Sequence, residues 1–312
     1  SSSRAGVATV GADGVVSAVK PGTTIITAGV GALRATSDVA VSYGPGTISG
    51  LPYCTMGDLV ERMDVHVPSA DVPRPLPVAV HIHGGGWVSG SRTRGVWFVP
   101  IRDRLLSEGF LVVSVDYRLA PAQKWPAQLQ DVKCAIRHLR ANASLYGLDP
   151  DRIGVVGSSA GGQLAALLGT TDPVPGIDDV GDFRGVSSRA QAVVALSAIT
   201  DFTATDELRD DYSRVFPTWP DPASPEMIEA SPLTHVSGDD SPFFFVVGDD
   251  DTLVLPAQSA RMNQRLVGAG VASTLVRIAN ADHGLSPTSG ALDPSMEEVL
   301  DRMAGFLRQR LR

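Results

Sequence analysis

Ile153-Gly154-Val155-Val156-Gly157-Ser158-Ser159-Ala160-Gly161-Gly162-Gln163-Leu164-Ala165-Ala166-Leu167-Leu168 is the stretch that decides the fold. A short apolar run enters a glycine–serine turn, and a run of good helix formers leaves it. Strand, tight turn, helix is the context a G-x-S-x-G nucleophile elbow requires. The reason is steric: side chains two positions either side of the serine would strike the crossing strand and helix, and glycine at 157 and 161 removes them. Ser159 then projects above the sheet edge, with the first N–H groups of the helix beneath it. With 32 glycines in the chain, a lone G-x-S-x-G carries little weight. The alternative is a turn with no chemistry, and partners elsewhere decide between them.

Working outward, residues 76–82 read as a buried strand that runs into His83-Gly84-Gly85-Gly86-Trp87. Three glycines after a strand let backbone N–H groups approach a ligand, which suits the second half of an oxyanion hole. Ala160 supplies one donor and Gly85 and Gly86 the others, with Gly84 as the alternative. Trp87 is expected to crowd the substrate beside them. His83 reads as a loop brace and His81 as a packed strand residue. Towards the C-terminus, a strand at 243–247 ends in Gly248-Asp249-Asp250-Asp251, and a strand at 273–278 leads to Ala281-Asp282-His283-Gly284. His283 sits at a strand end, where a hydrolase needs its base. Three adjacent aspartates also admit a metal reading, but no further ligands cluster near them in sequence.

Strands at 110–115 and 192–196 and helices at 95–107, 126–145, 257–267 and 295–311 complete an alternating pattern. Such alternation implies right-handed crossovers and a mostly parallel sheet, an α/β fold. Residues 170–240 are rich in aspartate and interrupted by Pro173, Pro175, Pro217, Pro220, Pro222 and Pro225. This is where a substrate-facing insertion is expected.

Composition sets the outer bounds. The 312 residues, 43% hydrophobic and 19% charged, suit one large globular domain with a small appendage. A net charge of −8 argues against nucleic acid or an anionic membrane as partner. No apolar run approaches the roughly 20 residues of a membrane span. The chain starts Ser1-Ser2-Ser3-Arg4, with neither an initiating Met nor a leader-like apolar segment, so a trimmed form is expected. Cys54 and Cys134 permit one disulfide, with two reduced thiols the equal alternative.

Residues 1–45 differ in character, with short Val/Thr-rich strands broken by turns at Asp13-Gly14 and Pro21-Gly22. The order Gly14, Val16, Ala18-Val19, Gly22-Thr23, Ile26, Ala28 resembles the second half of a bacterial Ig-like group 2 domain. Two domains are therefore expected: a partial Ig-like segment over 1–45 and a catalytic domain over 46–312. A structural spacer is the favoured role for the first, and a polysaccharide- or surface-associated module the alternative. Half a sandwich leaves an unpaired edge, so it should lean on the second domain or on another chain.

His83–Trp87, Asp116–Pro121, Tyr146–Ile153 and Gly157–Gly162 together resemble the α/β-hydrolase esterases of the hormone-sensitive-lipase type. The feruloyl/acetylxylan-esterase-like branch is the closest. The likeness covers residues 50–312 and implies an α/β-hydrolase fold with a serine esterase activity that uses no cofactor and no metal. In similar enzymes the acid lies in a G-x-x-D-x-x-V pattern, which falls on Asp251, although Val247 stands where those enzymes carry His. The order Ser159, Asp251, His283 is that of the α/β-hydrolases. A small-molecule or polysaccharide-linked ester is the expected substrate, and a secreted or cell-surface location the expected setting. A peptidase or amidase on the same fold is the alternative, since fold and triad serve both chemistries. From another class, an adhesion protein retaining a dead hydrolase would also fit the Ig-like segment.

Overall fold

The computed structural model describes residues 1–204, 210–217 and 221–311. An eight-stranded sheet runs through it. Four strands precede the sheet, two short and two of nine residues: β1 (Ala8–Val10), β2 (Val16–Ala18), β3 (Gly22–Val30) and β4 (Leu33–Val41). They form two antiparallel pairs, β1 with β2 and β3 with β4, and neither pair joins the large sheet. The hairpin of β3 and β4 rests on a helical turn, α3 (Ala143–Tyr146). Below it Tyr43 stacks on Tyr146 at 5.8 Å, and the Tyr43 N–H donates to the Leu145 carbonyl at 3.2 Å.

The large sheet contains β5 (Gly46–Met56), β6 (Leu59–Val67), β7 (Leu76–Ile82), β8 (Leu111–Val115), β9 (Leu148–Ser158), β10 (Ala192–Leu196), β11 (Phe243–Gly248) and β12 (Ser273–Ile278). Their spatial order is β12-β11-β10-β9-β7-β8-β6-β5. From β12 to β8 neighbours are parallel, and β6 and β5 add an antiparallel edge. The central strands are mostly apolar because both faces are covered. Along β8, β10 and β11 every residue is buried. This is the α/β-hydrolase fold.

Helices α1 (Phe98–Ser107) and α7 (Met296–Arg310) cover one face. Helices α2 (Ala127–Ala141), α4 (Ala160–Thr170) and α6 (Ala257–Gly268) cover the other. All eleven residues of α4 are buried, as expected of a helix that is apolar all round. Between α4 and residue 240, the one α-helix among the described residues is the six-residue α5 (Pro225–Ala230). Pro220 of the proline series lies outside those residues.

One sequence expectation changes here, and one element was missed. The helix expected over 126–145 breaks at Asn142, whose side-chain amide donates to the His138 carbonyl at 2.8 Å and competes with the helical ladder. The edge hairpin of β5 and β6 was not foreseen at all. Gly50 and Pro52 interrupt β5, and register shifts between Ile48 and Leu51 and between Pro52 and Cys54 erase the alternation that marks a strand.

Chain direction explains where a site can form. From β7 the chain passes through α1 to β8 on one side, while from β9 it passes through α4 to β10 on the other. The crevice lies beyond the carboxyl ends of β7 and β9, at the switch in strand order. The glycine loop and the elbow both emerge there.

Cys54 on β5 and Cys134 on α2 are joined in a disulfide, with Cα atoms 6.1 Å apart. Closing a loop of 80 residues stabilises by about 4.5 kcal/mol in the chain-entropy model. Reductant is expected to lower the denaturation midpoint of the wild type and to leave that of Cys54→Ser/Cys134→Ser unchanged. Two thiols titrating in the unfolded, unreduced protein would rule the bond out.

Candidate active site

The elbow is built by backbone contact. A Cβ on Gly157 would collide with the carbonyl of Gly161, and one on Gly161 with the carbonyls of Ile82 and His83. Glycine at these two positions lets the first turn of α4 lie directly on the ends of β9 and β7. Between them Ser159 takes φ 54° and ψ −119°, outside the usual regions for an L-residue. Its N–H donates to the Leu196 carbonyl at 2.8 Å, and its carbonyl accepts from Gln163 N–H at 3.0 Å. The backbone is thus fixed from the next strand and from its own helix, leaving the hydroxyl to point away.

That hydroxyl meets His283. Ser159 Oγ lies 2.9 Å from His283 Nε2, and His283 Nδ1 lies 2.8 Å from Asp251 Oδ2. The other carboxylate oxygen, Oδ1, accepts the N–H groups of Leu253 and Val254 at 2.9 and 2.8 Å. The Asp251 side chain is fully buried and that of His283 is about one-fifth exposed, so the acid is sealed while the imidazole opens to the crevice. Charge on the carboxylate is met by donors on both oxygens, which offsets the cost of burying it.

The neighbouring aspartates are held elsewhere. Asp249 pairs with Arg277 at 2.6 Å, and Asp250 accepts from the Thr288 hydroxyl. Gly248 sits where a Cβ would strike the Ala281 carbonyl, so the aspartate loop and the histidine loop are pressed together at their bases.

The glycine loop wraps the other side of the elbow. A Cβ on Gly84 would come within 2.9 Å of the Ser158 carbonyl. The N–H groups of Gly85, Gly86 and Ala160 have no acceptor among the described residues. Tyr117 holds the loop from beneath, its ring stacked on His83 at 4.1 Å and its hydroxyl donating to the His83 carbonyl at 3.0 Å. His83 Nδ1 lies 2.7 Å from the Gly84 carbonyl, and burial lowers its pKa. His81 is enclosed further down β7, where burial drives its pKa down to about 3. Neither ring reaches the serine.

Trp87 stands apart from this polar group. Its indole is 2% exposed and donates to Gln163 Oε1 at 3.1 Å. It belongs to a buried aromatic wall with Phe202 and Tyr212, at centroid distances of 5.8 and 6.0 Å. The sequence read its place in the loop but not its direction. Gln163 and Tyr117 were not foreseen as part of the site. Gln163 sits one helical turn beyond the elbow, a spacing that could have flagged it.

The arrangement joins a hydroxyl to an imidazole and a buried carboxylate, beside a loop with N–H groups that have no acceptor among the described residues. Comparison with known proteins agrees with that chemistry. "Probable carboxylic ester hydrolase LipM" of Mycobacterium tuberculosis is 35% identical over 62% of this chain and 45% of its own length. "Esterase LipQ" of the same organism is 30% identical over 88% of this chain and 63% of its own length. The chain therefore spans roughly half of these longer relatives. Among solved structures, the acetyl ester-xyloside bifunctional hydrolase of Caldicellulosiruptor lactoaceticus superposes with a TM-score of 0.70. It is 25% identical and is covered over 97% of its length by 85% of this chain. The BD-FAE family model matches residues 63–266, a span that takes in the glycine loop, the elbow and Asp251, and by that match the chain belongs to the BD-FAE family.

Proposed function

We propose that this chain is a serine carboxylesterase that hydrolyses short-chain acyl esters, including acyl groups carried on plant polysaccharides. The observation that carries the reading is the continuous path from Ser159 Oγ through His283 to Asp251, at 2.9 and 2.8 Å. Ser159 attacks the ester carbonyl while His283 Nε2 takes its proton and then delivers it to the departing alcohol. Asp251 fixes the tautomer and stabilises the imidazolium. The N–H of Ala160, with those of Gly85 and Gly86, stabilises the oxyanion. Water then cleaves the acyl-enzyme by the same route in reverse. The scheme calls on no cofactor or metal.

A short acyl group is supported by the surroundings. No long amphipathic helix of the kind that lines an extended acyl groove lies among the described residues of the insertion. Each methylene that finds no groove forgoes about 0.8 kcal/mol of transfer free energy. The name of the Caldicellulosiruptor enzyme supports acetyl groups on a sugar. In this reading residues 1–45 are a partial Ig-like spacer before a catalytic domain of 46–312, and the protein works outside the cell or at its surface.

Ser159→Ala is expected to remove turnover of p-nitrophenyl acetate, with a loss on the order of 10⁴- to 10⁶-fold in kcat and unchanged thermal unfolding. Residual activity above a tenth of wild type would sink the assignment. Asp251→Asn should cost about 10⁴-fold. Asp249→Asn and Asp250→Asn, which touch Arg277 and Thr288, should cost far less. Across p-nitrophenyl esters, kcat/KM should peak at roughly two to six carbons, by the per-methylene argument. A maximum at dodecanoyl esters would reveal a groove that this reading lacks, and equal rates on the matching anilides would move the reading to an amidase.

A further inference from the structure

We propose that Ser197 and Trp97 are positioning residues that hold the loop carrying His283 against the nucleophile by gripping its backbone. The inference rests on the esterase reading above and deepens it. His283 has both ring nitrogens engaged, but ring bonds alone do not fix the loop that bears the ring. That loop is a turn closed largely on itself: the Asp282 N–H donates to the Ser286 carbonyl and the Leu285 N–H to the Asp282 carbonyl, both at 3.0 Å. Leu285 anchors its far end in the core, and the backbone of His283 and Gly284 ahead of it is held separately.

Two successive carbonyls of the turn are held from outside. Ser197 Oγ donates to the His283 carbonyl at 3.0 Å, and Trp97 Nε1 donates to the Gly284 carbonyl at 3.2 Å. The donors come from different parts of the fold. Ser197 follows directly on β10, and Trp97 stands at the start of α1.

Both donors hold their side chains in place with a left-handed backbone, φ 46° at Ser197 and φ 56° at Trp97. Few non-glycine residues adopt this region, and those that do are held there by their surroundings, often at functional sites. For Ser197 the surroundings are plain. Its N–H donates to the Val246 carbonyl at 2.8 Å, and the carbonyl before it, of Leu196, accepts the Ser159 N–H at 2.8 Å. A single peptide unit therefore connects the group that fixes the nucleophile's backbone with the side chain that fixes the base's backbone. Ser197 is 2% exposed, so water does not compete for its hydroxyl. The distance between nucleophile and base is set through this residue as well as through Asp251.

Glycine separates positioning from folding at this site. Glycine accepts the positive φ of Ser197 more easily than serine does, which offsets part of the cost of losing the buried hydroxyl's bond, so Ser197→Gly should remain folded. It removes the hydroxyl all the same. A displacement of about 1 Å can cost ~10²-fold in rate. On p-nitrophenyl acetate we therefore expect kcat to fall about 10- to 100-fold by the same argument, with KM unchanged. Ser197→Ala should show the same kcat loss, and Trp97→Phe a smaller one. A readout independent of turnover accompanies these. The low-field proton resonance of His283 Nδ1, shared with Asp251, should be sharp in wild type and broadened in Ser197→Gly. If Ser197→Gly and Ser197→Ala both keep wild-type kcat and a sharp resonance, or raise KM alone, the proposal is overturned. Should wild type fail to turn over esters while Ser197→Gly still broadens the resonance, the positioning role stands and the esterase reading falls.

Discussion

Contact between the first turn of α4 and the end of β7 is the constraint on which the rest depends. At Gly161 a helix backbone lies directly on the carbonyls of Ile82 and His83, closer than any side chain would allow. That one contact sets three things together. It fixes the turn at Ser159, it lays the start of α4 on the carbonyls that lead into the glycine loop, and it seats α4 where every one of its residues is buried. A helix with no solvent-facing stripe contributes stability only through packing, so it cannot drift without loss of core contacts on all sides. The strain at Ser159 is therefore held by the most tightly enclosed element of the molecule.

Much of this was legible from residue order, because the physics involved is local. Strands at 76–82, 192–196 and 273–278 fall at their expected bounds: the first two are nearly continuous apolar runs between turns, and the third alternates towards its buried end. The elbow was legible because glycine spacing encodes a steric requirement. What was not legible depends on distant partners. β5 carries Gly50, Pro52 and two register shifts, and only its pairing with β6 makes it a strand. Along α2 the apolar spacing was plain, but Asp131, Lys133 and Arg137 are buried as well. Asp131 is gripped by Arg118 at 2.9 Å, and Lys133 and Arg137 share Asp178 at 2.9 and 3.2 Å. Those partners come from a loop 41 to 45 residues further on, or from the strand end before the helix. No periodicity announces them.

The candidate site divides along the same line. Ser159, Asp251 and His283 could be named because their residue types and order are restrictive. Their supports could not be named. A serine after a strand and a tryptophan before a helix carry no signal of a positive φ or of which carbonyl they will meet. Trp87 shows the converse case. Its position beside the glycine loop was evident, yet its indole turns inward to Gln163 and the aromatic wall, since a buried N–H must find an acceptor and Gln163 Oε1 is the one in reach.

Three consecutive aspartates in an acidic chain would repel one another if left together, and the fold resolves this by giving each a different partner. Arg277 takes Asp249, the Thr288 hydroxyl takes Asp250, and His283 with two backbone N–H groups takes Asp251. The first two partners lie on β12 and on the loop beyond His283, so the same three contacts that separate the charges also tie the aspartate loop to the histidine loop. Gly248, pressed against the Ala281 carbonyl, sets the base of that tie. The polar contacts of Asp249 and Asp250 thus do structural work for their neighbour: they fix the two loops in register, so that the one sealed carboxylate meets the imidazole from the side opposite the serine.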